Sequence, residues 1–545
     1  MRKFLVNLLL FCLLLSPINY AQAHNPADPD PNSGINIITA SALKDYLYFI
    51  ASDEMEGRDT PSRGLDMTAK FIAMNLSRWG LKPGGDSGSF FQKMSITRSK
   101  TDVSNTSIEI EGETYKPGAD FLAFPNAADI TASLVFASHG WVIKSKNINP
   151  YQNIDIKDKI VVILGEFPKG VLPNKDLTGK SGEDWDDPYS YIDKHGGKGI
   201  IVVPDFMALA DWERNASRYE EKGVVVFDKL NKRNISIPIV TLSPKLLDKL
   251  FNKESQYAIS IFNDSPQAIA PFALKETKKV TLKIAAKKEI LSTQNVIGVL
   301  EGSDPTLKDE YVAIGAHYDH VGVNNSIIGD KIFNGADDDG SGTVAVLQLA
   351  EAFSHAPRTK RSIMFVWHCG EEKGLLGSRY LTKFPTVPID KIITQLNIDM
   401  IGRSKKADNN NSANNELSGP DEIYVIGSKL MSSELGQVSE SVNNSSNLNL
   451  KFNYKYDDPN DPNRFFFRSD HFNYAQKGIP IIFYFNGVHE DYHRPSDSVE
   501  KIDYQKMEKV TRTIYLTAAE LGNRAARPKV DNPLPQVYTQ DDDDE

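Results

Sequence analysis

The sequence predicts an α/β protein, a mixed, mostly parallel sheet flanked by helices, with a β-rich module inserted ahead of it. Three observations carry this. From Asn295 onward, short apolar runs alternate with helical patterns, and strands that are apolar throughout belong to sheets buried on both faces. Between about 127 and 271 the texture changes to short β-like runs separated by Gly, Pro and Asn clusters. The length of 545 residues also exceeds what a single core serves, so two or three domains are expected.

The elements follow in order. Arg2 and Lys3 precede an apolar run from Phe4 to Leu15, Pro17 breaks it, and Ala21-Gln22-Ala23 has the small-x-small pattern of a cleavage site. This predicts a signal peptide over 1–23 and a secreted or periplasmic protein. Cys12 follows the bulky Phe11, so lipidation is not expected. No later run reaches the roughly 18 apolar residues of a membrane span, so no stable membrane anchor is expected. In 24–126, Leu43, Leu47 and Ile50 share one helical face with Ser41 placed to cap it. A second face carries Leu65, Ala69, Ile72, Leu76 and Trp79, and Gly80 ends that helix. The module over 127–271 contains strand-like runs at Leu134–Ala137, Lys159–Leu164, Gly199–Val203 and Ile237–Leu242. The region 272–526 reads as strands at Tyr311–Ala316, Ser362–Trp367, Ile392–Ile398 and Ile479–Phe485, with helices at Thr343–Phe353 and Leu375–Leu381. Residues 527–545, ending in Asp541–Glu545, read as a disordered acidic tail.

A formal net charge of −10 argues against a nucleic-acid partner. Beyond the signal segment only Cys369 remains, which excludes an internal disulfide and reads as a small buried residue at a strand end. Nothing in the sequence specifies an oligomeric state.

Acids and histidines gather just past the ends of the later strands. One strand runs into His317-Tyr318-Asp319-His320, a Gly-rich turn holds Asp337, Asp338 and Asp339, and other strands lead to Glu371-Glu372, to Asp399 and to a loop with His493. In open α/β sheets ligands bind beyond the carboxyl ends of the strands, so these groups converge on one crevice. Imidazole and carboxylate are zinc-type donors. Two His and three carboxylates hold two ions if one carboxylate bridges, a device used for hydrolysis. Adjacent Glu371 and Glu372 could then divide the work of base and ligand. Taken singly, each of these features also has an ordinary structural reading, as a cap, a turn or a solvated pair.

The motifs GAHYDH, NGADDDGSG, CGEEKGLLGS, NIDMIGR and YHRPSD, in this order, resemble the co-catalytic zinc aminopeptidases, whose relatives include glutamate carboxypeptidase II and the transferrin receptor. The likeness is strong over Asn295–Leu521 and weaker at Glu56-Gly57-Arg58 and Gly80-Leu81-Lys82-Pro83. It implies the zinc exopeptidase fold, with the inserted module as a protease-associated domain near the cleft. It implies two zinc ions per chain, held by His317 and Asp399 on one side, by Glu372 and His493 on the other, and bridged by Asp337. It further implies a cis bond from Asp337 to Asp338, Glu371 as general base, and Asp319 orienting the His317 imidazole. The implied substrates are peptides with a free N-terminus, cut one residue from that end, with an apolar first residue favoured. Two alternatives stay open, a carboxypeptidase of the same clan using Arg403 or Arg494, and a single-zinc glutaminyl cyclase.

Overall fold

The computed structural model describes residues 33–172, 176–177, 179–230, 235–254, 269–325, 327–458 and 461–534. The expected signal segment 1–23 and the terminal acids 541–545 lie outside the described residues.

The first helix, Ala40–Ile50, buries Leu43, Leu47 and Ile50 as its periodicity requires. Its cap is Thr39 and not Ser41: the extended Thr39 accepts from the Ala42 N–H at 3.2 Å, while Ser41 falls inside the helix. The second helix, Arg63–Arg78, starts at Ser62, which accepts from Leu65 N–H at 3.1 Å. It stops where Gly80 turns to φ +74°.

The larger of the two main sheets has ten strands. In chain order they are β1 (Lys82–Pro83), β2 (Phe91–Thr101), β3 (Val224–Phe227), β4 (Ala286–Leu300), β5 (Tyr311–His317), β6 (Ser362–His368), β7 (Ile392–Ile398), β8 (Glu422–Ile426), β9 (Lys451–Asn453) and β10 (Ile481–Phe485). In space the order is β3-β2-β4-β6-β5-β7-β10-β8-β9, with β1 beside β4. The pairings β6/β5, β5/β7 and β7/β10 are parallel. The strands from β4 outward on one side, and β8 against β10 on the other, pair antiparallel. The sheet is therefore mixed with a parallel centre rather than parallel for most of its width. Every residue of β6 and β7 is buried, because both faces are covered. Val312, Ile314 and Ala316 of β5 join a core with the helices Ala40–Ile50, Gly342–Ser354 and Tyr504–Asn523. Ala313 joins the opposite core with Leu381, Tyr474 and Ala475, carried on helices Leu376–Lys383 and His471–Gln476.

The second sheet, of nine strands, draws on residues from Ser107–Ile110 to Lys279–Ile284, wider at both ends than 127–271. The chain leaves the larger sheet at Thr101 and returns at Ala286, positions that face each other across the long β2/β4 ladder. The inserted stretch also returns one strand: β3 pairs with β2 at the edge of the larger sheet. Local texture carried no sign of either feature, since both rest on pairing between residues far apart in sequence. Beyond helix Tyr504–Asn523, the described part of the expected tail is tied down. Arg527 pairs with Glu310 at 2.8 Å, and Asp531 accepts from Ser433 N–H at 2.9 Å. No helix among the described residues is long and apolar enough to cross a membrane.

Candidate metal centre

The carboxyl ends of β5, β6, β7 and β10 meet the turn that precedes helix Gly342–Ser354. Two donor groups form there, His317 with Asp338 and Asp399, and His320 with Asp338 and Glu372. His317 Nε2 lies 3.3 Å from Asp338 Oδ1 and 3.6 Å from Asp399 Oδ2. On the other side His493 Nε2 lies 3.1 Å from both Asp338 Oδ2 and Glu372 Oε2. His320 Nδ1 approaches the second oxygen of Glu372 at 2.7 Å. Asp338 thus offers one oxygen to each group.

Asp337, expected in that shared position, turns away. Its Oδ1 accepts from Gly402 N–H at 2.6 Å and its Oδ2 faces His489 Nε2 at 3.1 Å. Asp339 turns a third way and accepts from Gly342 and Met400 N–H at 2.9 and 3.1 Å. The turn is fixed by Asp497 Oδ2, which accepts from the N–H groups of both Asp337 and Asp338 at 3.0 and 3.1 Å. The cis peptide bond accordingly joins Asp338 to Asp339, one residue later than expected. Three consecutive aspartates on an irregular turn point in three directions, and spacing alone does not say which one enters the site.

Asp319 also acts differently from the expectation. Its backbone carbonyl meets His317 Nδ1 at 3.1 Å, while its carboxylate stands 3.8 Å from that nitrogen and accepts from Glu371 N–H at 3.2 Å. It links the two loops. Burial raises its carboxyl to about 7, against the opposing charge of His317. His320 was not among the expected site residues; the only signal for it was its place in the His-Tyr-Asp-His run.

Glu371 and Glu372 are adjacent yet driven apart. Burial and Asp338 work against the Glu372 carboxylate, but the imidazoles of His320 and His493 outweigh them and hold it at about 2. Burial pushes Glu371 well above the usual carboxylate range, and the charge of His317 does not compensate. Two carboxyl groups set apart in this way suit different roles in proton transfer. Beneath the site lies Arg58, wholly buried, whose guanidinium donates to the carbonyls of Tyr318, Ile50, Asn334 and Gly335 at 2.7–3.0 Å.

The donor set fits a metal. Its atoms are imidazole nitrogens and carboxylate oxygens, the ligands zinc takes. Glu372 Oε1, His320 Nδ1 and His493 Nε2 are buried atoms without an aligned hydrogen bond among the described residues. Four carboxylates, those of Asp338, Glu371, Glu372 and Asp399, crowd the same few ångströms, and a bound dication would offset their mutual repulsion. A larger cavity, about 700 Å³, lies between β2 and β3 and the second sheet. No histidine lines it, so size does not locate the chemistry.

A family model described as Peptidase family M28 matches residues 295–518. That stretch is therefore similar to the M28 peptidases. It is 25% identical over 341 residues to aminopeptidase YwaD of Bacillus subtilis, covering 61% of this chain and 64% of that one. It is 26% identical over 265 residues to leucine aminopeptidase 2 of Trichophyton rubrum, covering 44% of this chain and 47% of that one. The chain thus spans about half to just under two thirds of these relatives. Among solved structures, the aminopeptidase from Aneurinibacillus sp. strain AM-1 superposes with a TM-score of 0.55 at 17% identity, covering 93% of this chain and 98% of that one. A crystal structure of BSAP, a zinc aminopeptidase from Bacillus subtilis, superposes with a TM-score of 0.50 at 18% identity, covering 91% and 99%. These likenesses establish the fold alone.

Proposed function

We propose that this protein is a zinc-dependent exopeptidase that releases single N-terminal residues from peptides. The observation that carries this is the shared Asp338 between two donor groups, with Glu371 beside them. Two zinc ions, one held by His317, Asp338 and Asp399 and the other by Asp338, Glu372 and His493, would polarise the scissile carbonyl and make a water acidic near neutral pH. The protein's own part is proton transfer and orientation. Glu371 takes the proton of the attacking water on its carboxylate and returns it to the leaving amine. Asp319 positions Glu371 through the backbone N–H, and His317 through its carbonyl. The second sheet supplies none of these groups, and we assign it to substrate access.

The carboxypeptidase alternative loses its readiest cation. Arg403 is buried and paired with Asp491 at 2.9 Å, so it is not free for a terminal carboxylate, and Arg494 stands exposed. The cyclase alternative needs one metal, whereas His317 and Asp399 stand together beside Asp338 as a second set. The relatives named as aminopeptidases support the remaining reading. Zinc-loaded protein should be offered matched peptides with free and acetylated N-termini, and with free and amidated C-termini. Release of the first residue from unblocked peptides only is the expected result. Equal cleavage of acetylated peptides, or release from the carboxyl end, overturns the assignment.

A further inference from the structure

Against Asp338, Glu371 and Asp399 lies a pocket whose wall is mostly apolar: Met400, Phe465, Phe483, Phe485 and Val488, with the ring of Tyr492. One cation belongs to the same wall, Arg468. It follows the turn Phe465–Phe467 directly. Its guanidinium carbon sits 5.0 Å from the Phe465 ring centre, and one amino group lies 3.5 Å from the Tyr492 hydroxyl. These partners are neutral, and among the described residues no carboxylate pairs with it. The contrast with Arg403, Arg361 and Arg527 is direct, since each of those is matched to an internal acid. Stacking on a ring pre-orders a guanidinium and leaves its N–H fork free. The backbone beside it is also held: Ser469 accepts from Asn397 Nδ2 at 2.9 Å and hydrogen-bonds to Asp399, so Arg468 is joined to the donor groups by a single residue.

We propose that Arg468 is a specificity-determining residue that receives a carboxylate of the substrate. This rests on the peptidase reading of the same site. A planar guanidinium fork matches a carboxylate, and the apolar wall suits the methylene stem that would carry one. Two sources share this chemistry, the side chain of an acidic first residue and the terminal carboxylate of a short peptide.

Parent, Arg468→Ala and Arg468→Lys proteins, zinc-loaded, should be compared by steady-state kinetics on two substrate pairs. The first is glutamyl- against leucyl-p-nitroanilide, and the second is leucyl-glycine against leucyl-glycinamide. A partly exposed charged pair with fork geometry is worth about tenfold. The expected result is that Arg468→Ala lowers the ratio of kcat/KM for the carboxylate-bearing member of one pair by about tenfold, through KM. Arg468→Lys should restore part of it. A fall in the first ratio assigns the side-chain carboxylate, and a fall in the second the terminal one. Movement of both ratios by less than twofold overturns the proposal. If the parent hydrolyses none of the four, the peptidase reading fails. The Arg468 proposal is then decided by calorimetry of glutamate binding to the zinc-loaded chain, where equal affinity in parent and Arg468→Ala overturns it.

Discussion

Replacing Arg58 by Met keeps the length of the side chain and removes its guanidinium. In the native fold that group donates to Tyr318 O at 3.0 Å, Ile50 O at 2.9 Å, Asn334 O at 2.7 Å and Gly335 O at 2.9 Å, with no exposure to solvent. Two of these carbonyls sit next to the donor groups: Tyr318 follows His317, and Gly335 opens the turn of Asp338. The Arg58 carbonyl also accepts from His320 N–H at 3.2 Å. Burial lowers the guanidinium to about 10, while Asp319, Asp338, Asp339 and Asp497 act to keep it charged. The variant takes one donor from each of four carbonyls, of which Gly335 O keeps the Gly340 N–H at 3.1 Å and Asn334 O is only partly buried; at roughly 1 kcal/mol each after relaxation, a loss of about 3 kcal/mol is expected. That agrees with the roughly 3–5 kcal/mol found when one member of a buried charged set is removed. Urea unfolding of zinc-loaded and chelator-treated protein, parent against Arg58→Met, measures it. The loss should persist with zinc bound, because a metal offsets the charge of the acids but supplies nothing to the carbonyls. A variant within about 1 kcal/mol of the parent that also binds metal with parental affinity would falsify the reasoning.

Further outcomes follow from the site. Asp338→Asn should reduce bound metal at both donor groups, whereas Asp337→Asn should keep metal and cost about 1–3 kcal/mol of stability through Gly402 and His489; metal analysis per chain separates them, and the reverse pattern returns the shared role to Asp337. Glu371→Gln should lower kcat by about 10²–10⁴ with full metal content, and loss of metal from this variant would make Glu371 a ligand. His320→Ala should weaken the metal held by Glu372 and His493 by about 10–100-fold in a competition titration, since His320 Nδ1 faces the Glu372 oxygen that His493 does not; unchanged affinity refutes an orienting role.

Much of this was legible in the sequence for one physical reason. Strands buried on both faces are largely apolar, so β5 and β6 stand out, β7 less so because Thr394, Gln395 and Asn397 interrupt it, and the acids and histidines just beyond their ends stand out with them. Side-chain direction within a turn is a different kind of information. Asp337, Asp338 and Asp339 are chemically identical, and the choice among them was made by Asp497, some 160 residues away, holding two successive N–H groups. The same holds for Arg403. As a lone arginine near the motifs it suited a substrate carboxylate, and only the fold shows Asp491 already beside it. Thr39 displaced Ser41 as the cap because both have a hydroxyl and either could start the helix; packing of Leu43 and Leu47 against the core set the first turn.

The inserted stretch shows where a reading by local texture stops. It supplies none of the donor residues named above, and from sequence it is a separable module. In the structure its strand β3 closes the edge of the larger sheet, and its Asp228 carboxylate accepts from Ser95 and Thr97 of β2 at 2.5 and 2.7 Å. Phe227, at the end of β3, is buried, and its ring is what a side chain at Gly370 would meet at 3.3 Å. Gly370 holds φ +71° and donates from its N–H to Thr60 Oγ1 at 3.0 Å. The next residue is Glu371. A left-handed backbone position admits glycine readily and little else, and here the space above it is taken as well, so the loop bearing Glu371 is bounded on one side by a residue of the insertion. Lys222, shortly before β3, adds a contact to the neighbouring loop through the Val321 carbonyl at 3.4 Å. The insertion therefore contributes to the shape of the site by packing, although it contributes nothing to the donor set.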